Sequence, residues 1–128
     1  MADGQKRILV VDDEPSIVKI IRKQLEICGY AVAVASDGED GLKQATEQLP
    51  DLIVLDVMLP KKNGFEVCTT LKQQATTAKI PILMLTARAQ RRDYDEGVGH
   101  GANAFLTKPF SLDELAKKIA ELLAVPLA

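Results

Sequence analysis

Short aliphatic runs recur along this chain, separated by longer stretches with helical spacing, and that alternation restricts the fold more than any other feature. The runs lie at residues 8–11, 31–35, 52–55, 82–85 and 104–106, each of strand length. Those at 8–11, 52–55 and 82–85 are wholly apolar, as expected of strands covered on both faces. The gaps between runs can hold helical crossovers, so parallel strands are feasible. Pro15 suits a first helical turn, and Ile17, Ile20, Ile21, Leu25 and Cys28 then recur at helical spacing before Gly29, an arc that is either wholly buried or shared between the core and a partner. Residues 37–48 form a second helical pattern, with Leu42, Ala45 and Leu49 on one face and Pro50 closing it. Phe65, Val67, Cys68 and Leu71 place a third helix after Gly64. Residues 91–99 make the weakest helical pattern, because Gly97 and Gly99 each cost about 1 kcal/mol against alanine. Ser111 and Glu114 form a capping box for a last helix whose stripe is Leu112, Leu115, Ala116, Ile119, Leu122 and Leu123. The pattern predicts an α/β fold: a doubly wound, five-stranded parallel sheet in the order 2-1-3-4-5 with five helices.

The length of 128 residues suits a single domain over 1–128, with an ordered core at about 6–124. With 47% hydrophobic and 27% charged residues, the composition is that of a soluble globular protein. A net charge of −2 argues against a dedicated nucleic-acid binder, which normally carries a basic face. No apolar run is long enough to span a bilayer, and the first residues lack the apolar stretch of a secretory signal. Cys28 and Cys68 lack metal-ligand spacing and read as reduced thiols, so a cytoplasmic location is expected.

In the predicted order the first and third strands are neighbours, and the crevice at their carboxyl ends is the default binding site. The polar residues at the strand ends are Asp12, Asp13 and Glu14, then Asp56, Thr86, Thr107 and Lys108. Carboxylates so gathered repel one another by about 4 kcal/mol per pair at ~4 Å. A hard dication relieves that repulsion, and a site without His or Cys ligands suits Mg²⁺. Mg²⁺ favours phosphate oxygens, and a carboxylate can itself accept a phosphoryl group. The bland alternatives are an aspartate capping a helix, a strand-end aspartate closing a turn, and a solvated lysine. They explain each residue singly but not the set.

In order and spacing, Asp12-Asp13, Asp56, Thr86-Ala87 and Lys108-Pro109-Phe110 resemble the response-regulator receiver domain, with its flavodoxin-like sheet. The resemblance runs from about Lys6 to Leu123 and includes the stretches 56–64 and 101–110. It implies that Asp12 and Asp13 hold Mg²⁺ together with Asp56 and the backbone carbonyl of Met58. It implies that Asp56 is the phospho-acceptor, that Lys108 binds phosphoryl oxygens, and that Thr86 and Phe105 are switch residues. Pro60, Gly64, Ala87 and Pro109 would shape the site, and the Lys108–Pro109 bond would be cis. Arg88 and Met58 would flank the entrance. His100 and the Gly97–Gly101 run receive no chemistry, the latter because it precedes a strand with the wrong spacing for a dinucleotide loop.

The implied activity is that of a two-component phosphorelay switch rather than an enzyme acting on other substrates. A histidine kinase or histidine phosphotransfer protein would phosphorylate Asp56, and the chain would later dephosphorylate itself. The face made by the 91–99 helix, the fifth strand and the last helix would then change. Kinase docking is expected on the first helix, whose apolar arc Val18 and Ile27 widen. Many DNA-binding regulators carry acids where this chain has Asn103 and Ala104. Those regulators use the acids in a dimer contact, which is therefore not expected here. Output is expected through contact with a downstream protein effector, without direct nucleic-acid binding by this chain and without membrane; the alternative is a receiver excised from a longer protein. A flavin binder would be repelled by Asp12, Asp13 and Glu14, and a haloacid-dehalogenase-type phosphatase needs an acid where Met58 stands.

Overall fold

The computed structural model describes residues 5–59, 61, 63–86 and 101–124. Five strands, β1 (Arg7–Val11), β2 (Ala31–Ala35), β3 (Leu52–Asp56), β4 (Ile82–Thr86) and β5 (Ala104–Thr107), form one sheet in the order β2-β1-β3-β4-β5. Every neighbouring pair is parallel. Four helices are described: α1 (Pro15–Ile27), α2 (Gly38–Gln48), α3 (Gly64–Gln73) and α4 (Leu112–Ala124). The helix expected over 91–99, together with Pro60, Ala87, Arg88 and His100, lies outside the described residues.

The apolar runs read as strands because both faces of the sheet are covered. Leu9, Val11, Ile53, Leu55, Ile82 and Met84 share one buried cluster with Ala45 of α2 and with Phe65, Cys68 and Leu71 of α3. The alternate residues Ile8, Val10, Leu52, Val54, Leu83 and Leu85 pack against Ile21 and Leu25 of α1 and Leu115 and Ile119 of α4. Side chains one apart therefore serve opposite layers, and a one-residue slip would exchange them all. Removing one such side chain, as in Leu83→Ala, costs about 2–5 kcal/mol.

Local chemistry sets the helix ends. Past α1, the amide of Gly29 donates to Glu26 O and that of Tyr30 to Leu25 O, 3.0 Å each. This is a Schellman stop, and it needs the positive φ of Gly29, 97°. Asp37 caps α2 by accepting from the Asp40 amide at 2.8 Å, and Asn63 caps α3 by accepting from Glu66 at 3.0 Å. Ser111 and Glu114 exchange hydrogen bonds at 3.0 and 3.1 Å, so the expected capping box is formed. Gly64 starts α3 against the backbone of Asp56 and Val57, where an added Cβ would collide with the Asp56 carbonyl oxygen.

Two details of the expected helices are corrected. Leu49 is not on the buried face of α2. It follows the helix in the left-handed region at φ 49° and is 43% exposed. Pro50 disfavours the α-helical region for the residue before it, and Arg7 Nη2 donates to the freed carbonyls of Gln48 and Leu49 at 2.7 and 3.1 Å. The apolar arc of α1 is not wholly buried, which removes the reading that all of it serves the core. Ile21 and Leu25 are buried, whereas Ile20, Ile27 and Cys28 are exposed. Among the described residues no helix is long and apolar enough to cross a membrane.

Candidate functional site

The chain leaves β1 towards β2 on one side, and the remaining strands build out on the other. The carboxyl ends of β1 and β3 therefore border a crevice that neither crossover fills. Asp12 follows β1 and its amide donates to Ala35 O at 3.1 Å, extending the ladder by one residue. Asp56 ends β3. Both side chains are buried, while Asp13 is exposed. One carboxylate oxygen from each of Asp12, Asp13 and Asp56 lies within 4.8 Å of the other two.

Lys108 enters this group from the end of β5. Its amide donates to Thr86 O at 2.6 Å, which fixes the backbone against β4. Its Nζ lies 3.2 Å from Asp12 Oδ2, 3.2 Å from Asp56 Oδ2 and 3.5 Å from Glu14 Oε1. The remaining oxygens of the two buried acids are held by backbone: Asp12 Oδ1 accepts from the Glu14 amide at 3.0 Å, and Asp56 Oδ1 accepts from the Met58 amide at 3.2 Å. The Lys108–Pro109 bond is cis.

The charges do not balance. Three carboxylates lie within 3.5 Å of one ammonium, Asp13 adds a fourth beside Asp12 and Asp56, and the two buried ones are shielded from water. Burial pushes the Asp56 carboxyl up to about 6, the neighbouring Asp12 charge adds to the rise, and Lys108 opposes it. Burial alone would lower Lys108, but the Asp56 and Asp12 charges outweigh it and hold the ammonium above its ordinary range. Two buried acids side by side, with a third at the rim, are suited to a dication. All the available donors are oxygens, which fits Mg²⁺.

The other expected residues take these places. Thr86 is buried at the end of β4. Phe105 is partly buried and packs against the cluster shared with α3. The Met58 side chain is 73% exposed at the mouth of the site. Gly64 lies beneath the β3–α3 loop, and Pro109 is exposed beside Lys108. Glu14, which the sequence already grouped with Asp12 and Asp13 after β1, reaches Lys108; Lys61 was not placed in this region. Lys61 pairs with Asp37 at 3.6 Å and ties the β3–α3 loop to the cap of α2. The signal for Glu14 was a glutamate at a helix N-cap, where it is not a favoured residue.

This arrangement is shared with known proteins. The sequence matches the response regulator receiver domain over residues 8–120. The chain belongs to that family. It is therefore a receiver domain of two-component signalling. It is 52% identical over 118 residues to the alkaline phosphatase synthesis transcriptional regulatory protein PhoP of Bacillus subtilis, covering 92% of this chain and 48% of that protein. It is 46% identical over 117 residues to the DNA-binding dual master transcriptional regulator RpaA of Synechocystis, covering 91% and 48%. A putative response regulator from Chloroflexus aurantiacus superposes with a TM-score of 0.91 at 35% identity, covering 95% of this chain and 100% of that one. The receiver domain of the sensor histidine kinase PA1611 from Pseudomonas aeruginosa, with a magnesium ion coordinated in its active-site cleft, superposes with a TM-score of 0.88 at 30% identity, covering 95% and 100%.

This receiver spans about half the length of the curated relatives it matches. The relatives are named transcriptional regulators, which overturns the expectation of output through a protein effector without nucleic acid. The physical reason is simple. A net charge of −2 describes these 128 residues alone and carries no information on how a longer regulator meets DNA.

Proposed function

We propose that Asp56 accepts a phosphoryl group from a phosphohistidine of a sensor kinase or phosphotransfer protein. In that step an Asp56 carboxylate oxygen bonds to phosphorus, the phosphorus–nitrogen bond breaks, and histidine leaves with its proton. Hydrolysis by water later returns the Asp56 carboxylate and inorganic phosphate. Residues 1–128 act as one receiver unit, which catalyses only its own phosphorylation and dephosphorylation. In a longer regulator resembling PhoP or RpaA, the unit would control DNA binding.

The observation that supports this reading is the position of Lys108, 3.2 Å from both Asp12 and Asp56 at the crevice where the sheet reverses. Asp12, Asp13, Asp56 and the Met58 carbonyl would hold Mg²⁺. When bound, the ion supplies charge neutralisation at the phosphoryl oxygens. Lys108 adds a point charge on the same oxygens, and Thr86 offers a hydroxyl from β4. The backbone bond from Met58 to Asp56 Oδ1 fixes the carboxylate plane before the donor arrives. The incoming charge of about −1.5 to −2 pulls Thr86 and Lys108 inward. Phe105 on β5 then turns in behind them, changing the face that β5 shares with α4.

The experiment is mass analysis after exposure to acetyl phosphate. The expected result is one added phosphoryl group, dependent on Mg²⁺ and absent in Asp56→Asn. Labelling that persists in Asp56→Asn overturns the assignment.

A further inference from the structure

We infer that Glu14 is a positioning residue for Lys108, keeping the ammonium over Asp56 when a dication occupies the three aspartates. The inference rests on the reading of Asp56 as phospho-acceptor. Glu14 is the N-cap of α1, yet its side chain makes no capping hydrogen bond. Serine, threonine, aspartate and asparagine are the side chains that cap well. A glutamate is longer, and here its Oε1 reaches 3.5 Å from Lys108 Nζ.

An ammonium has three N–H donors. Those of Lys108 face three carboxylates, on Asp12, Asp56 and Glu14. Of these, only Glu14 stands outside the group of acids that can hold a metal. A dication on Asp12, Asp13 and Asp56 draws on the same oxygens that Lys108 uses and repels the ammonium. Glu14 is then the one partner left with undivided charge. It lies on the solvent side, its side chain 55% exposed against 15% for Lys108. The pull of Glu14 therefore holds Lys108 at the rim instead of releasing it to water. The same residue also reaches the metal side through its backbone, because its amide donates to Asp12 Oδ1 at 3.0 Å. Exposed ion pairs add little to stability, so loss of the Glu14 carboxylate changes where Lys108 sits more than whether the chain folds.

The test uses Glu14→Gln and Glu14→Ser in the whole chain. Serine is the better helix cap, so a purely structural role for residue 14 predicts that Glu14→Ser improves or preserves every property. The first readout is the mobility of the Lys108 ε-methylene, followed by NMR as Mg²⁺ is added. In the absence of metal, Asp12 and Asp56 restrain it in all three proteins. With Mg²⁺ at saturation it stays restrained in the wild type and becomes mobile in both variants. The second readout is the initial rate of Asp56 phosphorylation by acetyl phosphate at saturating Mg²⁺. It falls about three- to tenfold in both variants, the size expected for a lost charged contact. Wild-type mobility and rates in the variants remove the role of Glu14 and leave the phospho-acceptor reading intact. Failure of the wild type to take up a phosphoryl group removes both.

Discussion

Two half-buried lysines sit at opposite ends of the sheet, and their surroundings differ in kind. Lys108, at the carboxyl ends of the strands, lies among the carboxylates of Asp12, Asp56 and Glu14. Lys72, near the amino ends of β4 and β5, donates to Ala78 O at 3.2 Å, Ile80 O at 2.8 Å and Asn103 Oδ1 at 3.0 Å. Each ammonium meets three acceptors. Around Lys72 all are neutral, so burial lowers its pKa, with the nearby Cys68 partly opposing. Around Lys108 they are anionic, and its pKa rises despite burial. Lys72 completes a hydrogen-bonding arrangement that ties the end of α3 to the start of β5. Asn103 Oδ1 also accepts from the Ile82 amide at 2.9 Å. Lys108 sits in an arrangement that is still short of positive charge. Satisfied neutral acceptors mark a structural lysine. Surplus negative charge marks one that shares its place with something else.

Exchanging each lysine for methionine separates the two roles. Lys108→Met lowers the rate of Mg²⁺-dependent phosphorylation by about a hundredfold or more, as for other preorganised electrostatic contacts. Lys72→Met leaves that rate within about twofold, because none of its partners borders the crevice. A slow Lys72→Met protein with an unchanged melt would break the comparison.

Stability moves the other way for Lys72. Its loss deprives two carbonyls and the Asn103 amide oxygen of a donor, and chemical denaturation is expected to show a cost of about 1–3 kcal/mol. Mg²⁺ does not restore it. A Lys108→Met protein is destabilised most without metal and recovers as Mg²⁺ is added, since the dication replaces the missing charge.

The pH dependence sharpens the contrast. Asp56, pushed up to about 6 by burial and by Asp12, binds a proton more readily folded than unfolded. Its contribution to stability is present below its ordinary carboxylate range and is lost as pH rises through about 6. Without metal, the wild type is expected to lose melting temperature relative to Asp56→Asn as pH rises through about 6. Parallel melting curves for the two proteins would contradict the raised pKa. The smallest effect lies outside both clusters. Leu49→Gly relieves a left-handed backbone at φ 49° and is expected to stabilise by about 1 kcal/mol in denaturant titrations, with phosphorylation unaltered.

The sheet was legible because burial on both faces leaves an unbroken aliphatic run, as at 52–55 and 82–85. The acids were legible because a parallel sheet brings strand ends together, so Asp12, Asp13, Asp56 and Lys108 could be collected without coordinates. The partners of Lys72 were not, since backbone carbonyls leave no mark in the sequence. Leu49 was misplaced because helical spacing counts a side chain on a face even after Pro50 has ended the helix. Ile20 and Ile27 show the same weakness in α1, where periodicity gives the direction of a stripe but not how far the neighbouring elements cover it. Glu14 was legible as part of the acidic group after β1, but its 3.5 Å approach to Lys108 was not, since a side chain's reach across the crevice leaves no mark in the sequence.

Magnesium titration by calorimetry at several pH values tests most directly whether the three aspartates and Lys108 behave as one electrostatic unit. The account predicts a single site whose affinity strengthens as pH rises through about 6, when Asp56 gives up its proton, and whose pH dependence disappears in Asp56→Asn. No binding heat, or an affinity indifferent to pH and to Asp56→Asn, would contradict it.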